Sequence, residues 1–100
     1  MAKFITSQEN PDEHKKALGF VQSYQDTKKE NSVDAQFFSK ESMQKLLDNP
    51  DFFAAKFHHG RLEDGSRTII VEGLNTDGES LDSFIVDGAG CPPHCGWPPF

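Results

Sequence analysis

Residues 53–86, FAAKFHHGRLEDGSRTIIVEGLNTDGESLDSFIV, decide the fold, because here the apolar period drops to two and two Asp-Gly pairs interrupt it. Three strands are predicted, from Phe53 to Leu62, Arg67 to Leu74 and Leu81 to Val86. Glu63-Asp64-Gly65-Ser66 and Thr76-Asp77-Gly78-Glu79 separate them. Asp and Gly tolerate the positive φ that tight hairpins require, so an antiparallel meander follows. With Asp77-Gly78 as a two-residue loop, Val71 faces Phe84 and Ile69 faces Val86, which makes one apolar face for helices to cover. Ile70, Leu74, Leu81 and Ile85 then share the other face. That face is too apolar for open water and calls for cover from the N-terminal segment and tail, or from another subunit.

Working back from the meander, Ser39 is placed to cap a helix with Glu41 in its first turn and Met43, Leu46 and Leu47 as its apolar stripe. Asp48-Asn49-Pro50 closes it, since proline drives the residue before it out of helical geometry. Ala35 to Phe38 reads as a short strand or extended segment, and the polar run from Asp26 to Asp34 as a loop. A first helix is predicted from Pro11 to about Lys28, with Asn10 as N-cap and Asp12 and Glu13 at the positive end of its dipole. His14, Ala17, Leu18, Val21 and Tyr24 recur at helical spacing and define a core-bound face. The expected class is α+β, with two helices packed on a three-stranded antiparallel meander and an extended Cys/Pro/Gly-rich C-terminal tail. Residues 1–87 form one domain in this reading. Residues 88–100 form a tail packed on it, anchored by Trp97 and Phe100.

Composition supports a single core without disulfide or metal staples: 100 residues include nine Phe. Ten Lys and Arg against sixteen Asp and Glu give a net charge of -6, with no basic surface of the kind that grips nucleic acid. No stretch approaches the roughly 20 apolar residues of a membrane-spanning helix, and the N-terminus lacks a signal-peptide core. The expectations are therefore no nucleic acid, no membrane and a cytoplasmic location. A homo-oligomer or protein partner would bind through the apolar sheet face and the tail.

Chemistry concentrates in the tail, Gly88-Ala-Gly-Cys91-Pro-Pro-His94-Cys95-Gly-Trp97-Pro-Pro-Phe100. Two thiols and an imidazole within five residues suit zinc or copper, with a fourth ligand from His58 or His59. His59 is the candidate completing Cys91, His94 and Cys95, although adjacent histidines on a strand point to opposite faces and only one can join. A second reading uses Cys91 and Cys95 as redox thiols. A third docks Trp97-Pro-Pro-Phe100 on a neighbour without catalysis. Fully extended, the two cysteine Cα atoms would lie ~12 Å apart, so a turn at Pro93-His94 must bring them within disulfide reach. The extended step before Pro92 favours free thiols within chelating distance over a bridge.

For His58 and His59 the structural reading is the stronger one. His59 shares a face with Ala55 and Phe57, and His58 shares one with Lys56 and reaches Glu72 across the sheet. No catalytic triad, nucleophile elbow, phosphate loop or HExxH pattern is present, so binding is expected rather than catalysis.

The helix ending in Lys45-Leu-Leu, a strand with aromatic and His residues before a Gly, Ile69-Ile-Val-Glu-Gly, Asp77-Gly78 and Cys91-Pro-Pro-His94-Cys95 together resemble a family. It comprises small Bacteroidetes-type bacterial proteins that finish in Cys-Pro-Pro-x-Cys. The resemblance covers about the last sixty residues and implies a functional tail, with no activity attached.

Overall fold

The structure, a computed structural model, describes residues 2–28, 35–91 and 96. The class is α+β. The chain divides into two compact units, Met1–Glu30 and Asn31–Phe100. The first unit contains helix α1, Pro11–Thr27, with Asp12 and Glu13 in its first turn as expected. Its start differs from the expected cap. Asn10 makes no side-chain cap bond; its Oδ1 accepts from the Thr6 N–H instead, while its own N–H donates to Thr6 O. A local turn thus occupies the group that was to cap the helix. Lys3 and Glu13 form an ion pair across that turn. The expected core-bound face is also not found, since α1 has no buried residue. Among the described residues, the first unit by itself holds no second element for the stripe of α1 to pack against.

The second unit runs β1 (Ala35–Phe37), α2 (Lys40–Leu47), β2 (Ala54–Arg61), β3 (Arg67–Leu74), β4 (Ser80–Ile85) and β5 (Ala89–Cys91). Strands β2, β3 and β4 form the antiparallel meander, in that order, and β1 pairs with β5 in a separate two-stranded ribbon. The start of the expected tail is therefore a strand, with Cys91 opposite Ala35. The first hairpin is closed by Leu62 N–H to Ser66 O at 2.8 Å and Gly65 N–H to Leu62 O at 2.9 Å. In the second, Asn75 N–H reaches Glu79 O and Gly78 N–H reaches Asn75 O, both at 3.0 Å. Each is a three-residue loop ending in a glycine of positive φ, 88° at Gly65 and 80° at Gly78.

Three residues rather than two in the second loop move the register. Leu74 pairs with Ser80, and then a bulge lets Glu72 to Leu74 span Ser80 to Phe84, with Asp82 at φ 54° inside it. Val71 consequently faces Ile85, not Phe84. The correction carries through the sheet. Ile85 is buried and Leu81 lies beside Gly73, so both belong to the face covered by α2, while Phe84 is 52% exposed. The other face keeps Ile70 and Leu74 but mixes them with Lys56, His58 and Glu72. Phe84, opposite Glu72, joins this face.

Helix α2 begins where Ser39 Oγ accepts from Ser42 N–H at 3.1 Å, as the sequence predicts. Its inward Leu46 meets Val71 and Ile85 to form the buried core, with Phe38, Phe52 and Ile69 packed around them. Above Gly73 the fit is close, because a Cβ there would lie 2.9 Å from Leu46 Cδ1 and the Leu46 side chain would have to shift. Strand β4 pairs with β3 only from Val71 onward, and Gln36 takes over beyond it. Its Oε1 accepts from Ile69 N–H at 2.7 Å and its Nε2 donates to the buried Thr68 Oγ1 at 3.2 Å. An amide side chain thereby stands in for a strand, satisfying a backbone donor whose loss would cost about 1–3 kcal/mol.

Gly73→Ala is expected to lose about 1–3 kcal/mol by overpacking against Leu46. In a Leu46→Ala background the same change should be neutral or stabilising. A double-mutant cycle from urea midpoints reads this coupling, and additive losses would contradict the contact.

Candidate functional site: an apolar groove beside a basic strand

The α2 face of the meander is not fully closed. Met43, Leu46 and Leu47, at one-turn spacing on α2, stand over Ala55 and Phe57 of β2, Val71 of β3 and Ile85 of β4. Phe38, Phe52 and Gln36 close the ends, and a groove of about 280 Å³ remains between them. Its floor is buried, whereas its rim is open: Phe57 is 60% exposed, Leu47 50% and Met43 46%. The single polar lining residue is Gln36, whose amide is already engaged by Thr68 and Ile69. A wider depression of about 470 Å³ lies between α2 and β4, with Ser42, Lys45 and Ser83 in its walls. The first groove is the more apolar and better enclosed.

On the opposite face His58 Nε2 lies 2.8 Å from Glu72 Oε1, the cross-strand contact expected from the sequence. The His58 hydrogen bond, reinforced by Ser80, holds the Glu72 carboxyl below its ordinary value of 4.5. At the first hairpin the exposed Asp64 carboxyl is lowered by accepting from the side chain and backbone of Ser66. Neither carboxylate faces the groove.

His59 sits on β2 opposite Ile69, exposed, on the face of Ala55 and Phe57 as expected. Cys91 ends β5. His94 and Cys95 lie outside the described residues, as do the proposed anchors Trp97 and Phe100. Among the described residues no group of three or more His, Cys, Asp or Glu is arranged to hold a metal. The expectation of free thiols is corrected, because Cys91 is disulfide-bonded. The sequence contains one other cysteine, Cys95. Pro92 requires Cys91 to be extended, and its place at the end of β5 meets that demand without forbidding a bridge. A bridged sulfur has no thiolate to offer a metal.

The groove itself was missed by sequence reasoning, which read Met43, Leu46 and Leu47 only as the apolar stripe by which the helix packs on the meander. The available signal was the surplus of aromatic residues, Phe37-Phe38 and Phe52-Phe53, flanking so short a helix. No family model, no curated protein and no solved structure matches this chain. Among the described residues no helix is long and apolar enough to cross a membrane.

Because the Glu72 carboxyl is depressed in the folded state, its contribution to stability is present above about pH 4.5 and disappears as pH falls through the folded value. Glu72→Gln should lose stability at neutral pH and show a smaller further loss on acidification than the parent chain. Urea midpoints at about pH 6 and about pH 3 test this, and parallel acid losses in both proteins would refute it.

Proposed function

We propose that this chain is a non-catalytic binding module that holds apolar side chains of a protein partner in the groove between α2 and the meander. The carrying observation is a groove of about 280 Å³ with a buried apolar floor and three large apolar side chains open at its rim. Sites that orient whole small molecules usually measure roughly 300–1,000 Å³ and present convergent polar groups. Here the volume is small and the one polar group, Gln36, is occupied by the fold. Size and lining suit one or two side chains of a partner.

Nile red, a neutral apolar probe, should bind saturably with a fluorescence rise, and Phe57→Asp should weaken it at least tenfold while circular dichroism stays unchanged. Failure to bind, or equal binding by the variant, would remove this reading.

A second reading is favoured by the disulfide at Cys91. An external dithiol would deliver two electrons and two protons to the bridge, leaving thiols at Cys91 and Cys95 and itself becoming a disulfide. Zinc or copper held by Cys91, His94, Cys95 and His59 would follow that reduction, since the metal needs thiolates. A cytoplasmic home keeps the pair reduced, and an oxidising compartment preserves the bridge. Alkylation mass spectrometry on freshly lysed cells separates these states: two blocked thiols support the cytoplasmic and metal readings, and none supports a persistent bridge.

A further inference from the structure

We infer that the occupant of the groove is an extended acidic segment of a partner protein, which adds to the meander as a strand beside β2. This rests on the groove reading above and specifies its partner. In the sheet order β2-β3-β4, β2 forms an outer edge eight residues long. Leu62 N–H bonds to Ser66 O, and hydrogen-bonded pairs alternate along an antiparallel ladder. Gly60, His58 and Lys56 therefore direct their backbone groups at β3, while Ala55, Phe57, His59 and Arg61 direct theirs away from it. A row of outward N–H and C=O groups is a template for another strand. The β4 edge is different, because the bulge and the left-handed Asp82 interrupt it. Among the described residues, β2 is the regular edge of the meander that no strand pairs.

Charge identifies the guest. The chain has a net charge of -6 with histidines neutral, yet β2 and its neighbour β3 together carry Lys56, Arg61 and Arg67 against the single acidic Glu72, which is engaged by His58. Basic side chains on an edge repel a second basic edge, including the β2 of another copy, and admit an acidic one. The pleat then sets the pattern. Alternate side chains of an added strand lie on the α2 face beside Phe57, where the groove continues, and the others lie beside Lys56 and His58. The matching segment has apolar residues at every second position with Asp or Glu between them.

The test leaves the protein unchanged and varies the ligand. Fluorescein-labelled, acetylated octapeptides alternating Asp with Val, or Lys with Val, are titrated by anisotropy, and the Asp peptide is also made with N-methyl groups on either alternate set of residues. The Asp peptide should bind saturably and displace Nile red, and the Lys peptide should bind at least tenfold more weakly. One methylated set should lose at least tenfold and the other should not, because only one set faces β2. Equal binding of Asp and Lys peptides, or equal effects of the two methylated sets, would overturn strand addition. So would a dimer in light scattering that the Asp peptide does not dissociate. Nile red binding without Asp-peptide binding would refute this inference and leave the groove reading standing; loss of both would end the groove reading itself.

Discussion

The second unit depends on Leu46 being seated over Gly73. A sheet of three short strands buries little by itself, and α2 is only eight residues long. Their union rests on one large side chain packed close over the missing Cβ of Gly73, with the paired Val71 and Ile85 completing the buried cluster. Close approach at that point brings the helix near enough for Leu46 to be buried. It also leaves Met43, one turn before it, and Leu47, the next residue round the helix, standing above the sheet. The groove is the geometric remainder of a helix docked at a single point.

Much of this architecture was legible in the sequence, and the failures have definite causes. The Ser39 cap, the stop before Pro50 and the three strands follow from local rules that need no knowledge of the rest of the chain. So does the His58–Glu72 contact, which requires only the position of the first turn. The second register went wrong because Asp-Gly serves loops of either two or three residues, and one residue is enough to exchange faces. The bulge at Asp82 was invisible, since nothing in Leu81-Asp-Ser marks a left-handed residue in advance. The Gln36 contacts depend on how distant segments meet, for which one sequence supplies no signal, and the aromatic pairs flanking α2 hint at the groove without placing it.

The two faces of the meander divide the work of the fold. On one face apolar burial is concentrated at Leu46, Val71 and Ile85. On the other, the Lys56, His58 and Glu72 side chains keep the surface compatible with water. Gln36 joins these regions to the β1–β5 ribbon by supplying hydrogen bonds where β4 ends. A side-chain amide links two separate small sheets without continuing one ladder.

The pairing of Ala35 with Cys91 places the ribbon under a different kinetic rule from the meander. Each hairpin closes over three residues, so its ends meet at little entropic cost. Strands β1 and β5 must instead wait until the intervening helix and sheet have brought the two ends of the unit together. The ribbon therefore closes the longest loop of the unit, and local opening can separate it from a meander that stays intact. Cys91, carried on its terminal residue, would be exposed to exchange by that local opening, at rates set by the ribbon and independent of global unfolding.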